Sequence, residues 1–211
     1  MDLFELNKQK ELEKSAPLAD RLRPKTLTDY IGQKHLVGEG KIINRMIKAD
    51  RIYSSIFYGP PGVGKTTLAK IISESTRMKF EELSAVTSGI NDVKNKIKIA
   101  QDNLKYENKK TILFIDEIHR FNKSQQDYLL PFVEDSTITL IGATTENPYF
   151  EVNKALISRM YVFELKSLDN KDLDDLINLA LTKDTVLSRK DIDLSKEARN
   201  TLIKYSNGDS R

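Results

Sequence analysis

Apolar residues along the chain form short unbroken runs, which alternate with longer segments where apolar positions recur every three or four residues. Short apolar runs indicate buried strands, and the longer spacing indicates amphipathic helices. The strand-like runs are 55–59, 80–84, 111–116, 137–144 and 161–165. The helical segments are about 41–49, 65–75, 91–105, 124–133, 171–181 and 195–205. This alternation predicts an α/β fold, with a five-stranded parallel sheet flanked by helices on both faces.

The pattern also divides the chain into three parts. Residues 1–16 have weak helical spacing and are predicted to be a frayed N-terminal leader. Residues 17–166 hold all the strand signals and form the α/β domain, which opens with an extended arm over 17–33 because that stretch carries two prolines and several turn residues. Strand signals stop after Lys166, so 167–211 is predicted to begin a separate helical domain.

Composition narrows the function classes. The 211 residues include no cysteine, which excludes disulfides, thiolate catalysis and zinc–cysteine sites. Hydrophobic residues make up 39% and charged residues 31%, and no apolar run approaches the ~18 residues of a membrane span. The N-terminus has no secretory signal, so we expect a cytoplasmic protein with no membrane partner. A net charge of +3 neither requires nor excludes nucleic acid.

Residues 59–66 read GPPGVGKT and match the phosphate-binding pattern G-x-x-x-x-G-K-[ST] in full. A strand-like run precedes them and a helical segment follows, which makes a chance glycine-proline loop a poor alternative. In this pattern Lys65 reaches the β- and γ-phosphates, and the Thr66 hydroxyl binds Mg²⁺. The predicted nucleotide-binding residues are Gly59, Pro60, Pro61, Gly62, Val63, Gly64, Lys65, Thr66 and Thr67.

Two adjacent carboxylates, Asp116 and Glu117, follow another buried strand. Ligands of open α/β sheets bind beyond the carboxyl ends of the strands, so Asp116 is predicted to hold Mg²⁺, directly or through water. Glu117 could polarise a water for attack on the γ-phosphate. The alternative is that both are solvated acids at a strand end. ATP is favoured over GTP because no N-K-x-D motif is present.

Three strings together, GPPGVGKTT, ILFIDEIHRF and IGATTENPYFEV, resemble AAA+ ATPases. The longer strings PLADRLRPKTLTDYIGQKHLVGEGK and DEIHRFNKSQQDYLLPFVEDSTITLIGATTENP resemble the replication-associated recombination protein A family, which is related to the eukaryotic Werner-helicase-interacting protein. The resemblance runs from Pro17 to Arg211. It implies an AAA+ P-loop NTPase domain followed by the start of a helical lid.

The resemblance also implies roles for single residues. Ile31 and Gly32 would contact the adenine base, and Thr145, at the sensor-1 position, would position the attacking water. Arg159 would be an arginine finger that reaches the γ-phosphate of a neighbouring subunit. Arg211 would be the γ-phosphate arginine of the sensor-2 motif, at the start of a lid that the chain does not complete. We therefore expect a fragment. The alternative to a sensor role is that Thr145 only caps the next turn. The alternative to an arginine finger is that Arg159 forms an ordinary surface salt bridge.

The segment HRFNKSQQD directly follows the two carboxylates. Arg120 and Lys123 are residue types that contact phosphate, and one hypothesis is that they couple DNA binding to Glu117. The alternative is a solvated helix start, with Ser124 as N-cap and Asp127 completing a capping box. His119 could relay nucleotide state to a partner, or it could be a structural histidine.

The family resemblance implies a DNA-dependent ATPase that maintains replication forks and acts on DNA ends, gaps or stalled forks. It further implies a homo-oligomer in the full-length form, a nucleoid-associated location, and replication proteins such as single-strand binding protein as partners. Three alternatives stay open: a clamp-loader-like subunit, a Holliday-junction branch-migration motor, and an ATP-gated assembly module with little turnover.

Overall fold

The structure, a computed structural model, describes residues 16–210. The leader predicted at 1–16, apart from Ala16, lies outside the described residues, as does Arg211. The described part contains a five-stranded sheet in the order β2-β3-β4-β1-β5, and every neighbouring pair is parallel. The strands are β1 Ser55–Tyr58, β2 Lys79–Ser84, β3 Thr111–Asp116, β4 Ile138–Thr144 and β5 Tyr161–Glu164. This confirms the predicted fold class, and each strand end lies within about one residue of its prediction.

Within residues 16–210, all six predicted helices are present, and four short ones appear that the apolar pattern did not predict. The helices are α1 Leu18–Arg21, α2 Lys34–Val37, α3 Ile42–Lys48, α4 Lys65–Glu74, α5 Ile90–Glu107, α6 Lys123–Glu134, α7 Pro148–Glu151, α8 Lys154–Ile157, α9 Asn170–Lys183 and α10 Lys196–Ser206. Two 3-10 turns lie at Ile118–Arg120 and Leu187–Arg189. The unpredicted helices each have only four residues, which is too short for a periodic pattern to show.

The N-terminal arm is not simply extended, which corrects the prediction for 17–33. Its residues Leu18–Arg21 form α1, because the Pro17 carbonyl accepts hydrogen bonds from the backbone N–H groups of Asp20 and Arg21. The Arg21 guanidinium then forms a bidentate ion pair with the buried Asp184, with Nε–Oδ2 and Nη2–Oδ1 distances of 2.7 and 3.0 Å. This contact ties the arm to the end of α9.

The start of α6 is capped differently from the prediction. Asn122, not Ser124, is the N-cap: its side chain accepts from the Gln125 backbone N–H at 2.9 Å. The Gln125 side chain in turn accepts from the Asn122 backbone N–H at 2.9 Å. Asp127 instead accepts a hydrogen bond from the Asn153 side chain. The helix starts earlier because Asn and Gln form the same reciprocal box that was expected of Ser and Asp.

The sheet separates two hydrophobic clusters, one on each face. Ile112 and Phe114 of β3 point into a cluster with α4, while Leu113 and Ile115 point into a cluster with α5 and α6. Burial on both faces explains why the strand reads as an unbroken apolar run. Each such fully buried side chain contributes roughly 1.5–3 kcal/mol of burial free energy. Within residues 16–210, no helix is long and apolar enough to cross a membrane.

The chain after β5 contains the helices α9 and α10, and its first residues contact the N-terminal arm and the segment that follows α10. The Gln33 side chain brackets Lys166, donating to its carbonyl at 2.7 Å and accepting from its backbone N–H at 2.9 Å. The carbonyl of Gly208, past the end of α10, accepts from the Leu168 N–H at 3.4 Å. The division of the chain near Lys166 stays a prediction.

Candidate nucleotide-binding site

The phosphate loop joins the carboxyl end of β1 to the amino end of α4. Its backbone is left-handed at Gly62 and Gly64, with φ of 68° and 94°. A side chain at Gly62 would collide with the Asp209 carboxylate, and a Cβ at Gly64 would lie 2.6 Å from the Tyr30 hydroxyl. Only glycine fits these two positions, since they combine positive φ with a close neighbour.

Lys65 is the first residue of α4 and is buried at 8% exposure. Its Nζ donates to the carbonyl oxygens of Gly59 and Pro60 at 2.7 and 2.8 Å. The ammonium group therefore lies inside the curl of the loop, beside the positive end of the α4 dipole. A loop of this shape, with a cation at its centre, suits a polyphosphate.

The acidic residues lie on the same edge of the sheet as the loop. Asp116 ends β3, which is separated from β1 only by β4. Burial, followed by the neighbouring Glu117 charge, raises the pKa of Asp116 above its ordinary value. A cation beside Asp116 would relieve both effects. Among residues 16–210, no three His, Asp or Glu side chains form a ready-made metal site.

A cavity of about 410 Å³ joins these groups. Its lining residues are Ala19, Arg23, Pro61, Gly62, Gly64, Lys65, Thr66, Thr67, Lys70, Glu82, Asp116, Glu117 and Ser210. The structure thus brings the predicted Mg²⁺ ligands Thr66 and Asp116 to one cavity with Lys65 and Glu117. Hydroxyl and carboxylate oxygens are the ligand types that Mg²⁺ prefers, so Thr66 and Asp116 could hold that ion.

Glu117 has an unusual backbone and two side-chain neighbours. Its φ is 52°, in the left-handed region that few non-glycine residues adopt. Its Oε2 lies 3.4 Å from the Thr145 hydroxyl and 3.3 Å from His119 Nδ1. Thr145 follows the last residue of β4, so the structure places this predicted residue against Glu117.

Several residues of the site were not predicted. The Tyr30 hydroxyl donates to the loop carbonyls of Val63 and Gly64, at 3.3 and 3.2 Å, and burial raises its pKa so that it stays a donor. From the other end of the chain, the backbone N–H and the hydroxyl of Ser210 both donate to the Gly62 carbonyl, at 3.1 and 2.6 Å. No sequence pattern signals these long-range contacts.

Two predicted contacts to adenine lie beside the cavity, not in its lining. Ile31 is half-buried, and the buried Gly32 packs against the side chains of Leu168 and Asp172. The lining residues include neither of them. They lie where the arm meets the segment after β5, and their contact with a base remains a prediction.

Arg159 lies away from the loop of its own chain. It precedes β5 and therefore lies at the amino edge of the sheet, since Tyr161 pairs with Ser55 at the start of β1. Its Nη2 lies 2.6 Å from Glu134 Oε1, and its Nη1 donates to the Ala155 carbonyl at 2.8 Å. It lines a second cavity, of about 1190 Å³, among residues that do not include the phosphate loop.

The two candidate DNA contacts, Arg120 and Lys123, are exposed. Arg120 ends the 3-10 turn, and its backbone N–H donates to the Glu117 carbonyl at 2.8 Å. Lys123 is the first residue of α6. Both are therefore close to Glu117 along the chain, at a surface that a ligand could reach.

Residues 22–157 match the family described as the Holliday junction DNA helicase RuvB P-loop domain. This chain belongs to that family. It is 48% identical over 196 residues to the replication-associated recombination protein A of Escherichia coli K12, covering 92% of this chain and 44% of that protein. It is 45% identical to the ATPase WRNIP1 of Dictyostelium discoideum, covering 93% of this chain and 22% of that protein. These similarities confirm the resemblance found in the sequence.

Solved structures agree on the fold. The Thermotoga maritima RuvB Holliday junction branch migration motor superposes with a TM-score of 0.69 and 29% identity, covering 90% of this chain and 62% of that one. The chain spans less than half the length of the replication-associated recombination proteins that it matches.

Proposed function

We propose that this chain is the ATP-hydrolysing AAA+ core of a DNA-dependent protein that maintains replication forks, and that it acts in a homo-oligomer. The observation that carries the proposal is the single cavity lined by Lys65, Thr66, Asp116 and Glu117 at the carboxyl edge of the sheet. Lys65 supplies a positive charge for the phosphates. Thr66 and Asp116 supply two ligands for Mg²⁺, and Glu117 supplies a base.

The cavity fits a nucleotide with Mg²⁺ in two respects. The loop has glycines at the two positions where a side chain would collide with a neighbour, which lets its backbone curl as a phosphate loop requires. Burial and the neighbouring Glu117 charge raise the pKa of Asp116, and a bound cation would offset both effects. Thr66 and Asp116 would hold Mg²⁺, which supplies neutralisation of charge on the β- and γ-phosphate oxygens.

In the proposed hydrolysis, each residue of the site has a separate role. Glu117 accepts a proton from water as the water oxygen bonds to the γ-phosphorus and the bond to the ADP oxygen breaks. Thr145, next to the Glu117 carboxylate, is placed to orient that water. Lys65 leaves the Gly59 and Pro60 carbonyls and offsets the charge that develops on the transferred phosphoryl group.

A second copy would complete the site. Arg159 is exposed at the opposite edge of the sheet and, among residues 16–210, pairs with Glu134 and with groups of its own surface segment. Because it lies far from the loop of its own chain, it can offset γ-phosphate charge only on a neighbour. Arg211 remains a proposed contributor from the sensor-2 position, which adjoins Ser210 at the loop.

DNA is the proposed activator. The relatives are named for replication-associated recombination, and Arg120 and Lys123 present exposed cations next to Glu117. Replacing both by alanine in the full-length protein should reduce the stimulation of ATP turnover by DNA and leave basal turnover intact. Lys204→Ala, which alters an exposed lysine of α10, is the matched control.

A branch-migration motor is the second candidate, and the RuvB family match favours it. The sequence is nonetheless less similar to RuvB of known structure, at 29% identity, than to replication-associated recombination protein A, at 48%. ATP turnover that is stimulated by DNA with gaps or free ends would support the replication-fork maintenance protein. Turnover stimulated only by four-way junctions supports the second.

The deciding experiment measures ATP turnover by the full-length protein and by the 211-residue chain, each with and without gapped DNA. We expect turnover in the full-length protein, stimulation by DNA, and at least a 100-fold loss in Glu117→Gln. ATP binding without turnover in the wild type would instead support an ATP-gated assembly module.

A further inference from the structure

His119 has no role in the hydrolysis described above, yet the fold directs its side chain to Glu117. The 3-10 turn Ile118–Arg120 starts at Glu117, whose left-handed φ of 52° reverses the chain direction. The turn closes with a hydrogen bond of 2.8 Å from the Arg120 N–H to the Glu117 carbonyl. Ile118 is fully buried and anchors the turn in the core. The result is that His119, two residues on, folds back over the Glu117 carboxylate.

The imidazole lies between a buried hydroxyl and that carboxylate. His119 Nδ1 is 2.8 Å from the Thr144 Oγ1 and 3.3 Å from Glu117 Oε2. Thr144 is itself fully buried at the end of β4, and its Oγ1 accepts from the Glu146 N–H at 3.0 Å. The side chain of His119 is only 8% exposed. The ring is therefore held on one side by a buried hydroxyl, that of Thr144, which has little freedom to move.

The direction of these hydrogen bonds follows from the chemistry of the groups. A carboxylate can only accept, so a close contact between Nδ1 and Glu117 is favourable when Nδ1 carries the proton. Thr144 Oγ1 can then serve as a second acceptor while its own proton points to the Glu146 carbonyl, 3.4 Å away. The Thr145 hydroxyl donates to the same Glu117 oxygen, Oε2. Both contacts use Oε2, and neither of them uses Oε1.

We propose that His119 is a positioning residue that orients Glu117 as the base, with Thr144 fixing the imidazole. The proposal rests on the proposed ATPase function. Glu117 needs such a support, because its strained backbone alone does not select a side-chain direction and an unsupported carboxylate on a surface turn would sample several rotamers. His119 is not among the residues that line the cavity, and it contacts that lining through Glu117.

The test compares three substitutions at His119 in the full-length protein. His119→Ala and His119→Leu remove the donor, and Leu keeps most of the volume. Both should lower kcat for ATP about tenfold, with KM changed less than about twofold, since Lys65 and Thr66 are untouched. His119→Asn places an amide N–H near the position of Nδ1 and should recover most of kcat. In a Glu117→Gln background, His119→Leu should cause no further loss.

The outcomes separate this proposal from the ATPase proposal. Wild-type turnover that Glu117→Gln abolishes but His119→Leu leaves unchanged would overturn the positioning role alone. A loss in His119→Leu that Asn fails to rescue, together with a lowered melting temperature, would assign His119 a structural role and also overturn it. Absence of wild-type turnover would overturn the ATPase function, and the positioning role with it.

Discussion

The two edges of the sheet carry different halves of the candidate site. At the carboxyl edge, Lys65, Asp116 and Glu117 line one cavity, and Lys65 is held by hydrogen bonds within its own loop. At the amino edge, Arg159 is 42% exposed in its side chain and pairs with the equally exposed Glu134. The first set is preorganised by the fold, whereas Arg159 is bound by a surface ion pair of the kind that contributes little to stability.

This difference follows from the topology. In a parallel sheet all loops that follow strands meet at one edge, and a residue that precedes a strand lies at the other. Arg159 precedes β5, so no rearrangement of side chains can bring it to the phosphate loop of the same chain. The proposed role of Arg159 therefore requires a head-to-tail contact, in which the amino edge of one copy faces the carboxyl edge of the next. Such contacts build rings or filaments.

The largest expected effect is at the carboxyl edge. Lys65→Ala should remove both nucleotide binding and turnover, with a loss of at least about 1000-fold in kcat/KM, because the loop then has no cation for the phosphates. Isothermal titration with ATP and a turnover assay would measure it. Lys79→Ala, at the amino end of β2 and paired with Glu107, is the control and should behave like the wild type.

At the amino edge the expected effect is on turnover alone. Arg159→Ala should lower turnover of the assembled protein about 100- to 1000-fold, because a missing arginine finger costs the transition state its charge partner. ATP affinity of the single chain should not change. Arg77→Ala, which alters a more exposed arginine of the same cavity, serves as the control. A loss of ATP affinity in the isolated Arg159→Ala chain would place Arg159 in its own site.

Asp116 should show a conflict between function and stability. Burial raises its pKa above 3.8, so the folded protein binds this proton more tightly than the unfolded chain does. Stability then falls as pH rises from about 3.8 through the folded pKa, and the cost persists at pH 7. Asp116→Asn should remove it.

In the absence of nucleotide, Asp116→Asn should raise the melting temperature at pH 7 by about 2 °C, a small gain because solvent screens a half-exposed carboxylate. The same variant should lose Mg²⁺-dependent turnover. Calorimetry at several pH values checks the first result, with Asp102→Asn on the exposed face of α5 as the control. A lower melting temperature for Asp116→Asn would contradict the electrostatic explanation.

The smallest expected effect, a change in stability without the loss of a catalytic group, concerns the support of the loop. Tyr30→Phe removes a hydroxyl that donates to two loop carbonyls over long distances of 3.2 and 3.3 Å. We expect a loss of about 0.5–1.5 kcal/mol in the free energy of unfolding, or roughly 1–6 °C in melting temperature. Tyr106→Phe alters a 73% exposed ring and should change nothing. Equal melting temperatures for the two variants would show that the Tyr30 bonds contribute nothing.

Local patterns predicted most of the fold, and they named Lys65 and Thr66, which the structure places in one cavity. Apolar runs revealed the strands because both faces of the sheet are buried, and the G-x-x-x-x-G-K-[ST] spacing revealed Lys65 and Thr66. The contacts of Tyr30 and Ser210 with the loop were not predictable, since they join residues far apart in the chain. The cap of α6 was assigned to Ser124 because propensity alone does not separate it from Asn122.

The contact between His119 and Glu117 could not be predicted from the sequence either. The histidine was visible beside the two carboxylates, but its direction depends on the left-handed backbone at Glu117, which no residue type there indicates. Arg159 was assigned by resemblance, and the pattern of the chain could not tell that it lies on the opposite edge from Lys65. The order of strands in the sheet decides that.

The most direct measurement mixes two inactive full-length variants, Lys65→Ala and Arg159→Ala, and follows ATP turnover. Each variant alone lacks one half of every site. In mixed assemblies, a site with the intact loop of one variant can receive Arg159 from the other, which random mixing allows at about a quarter of the contacts. We predict that turnover returns to a comparable fraction of the wild-type rate. A mixture as inactive as its components would contradict a site shared between copies.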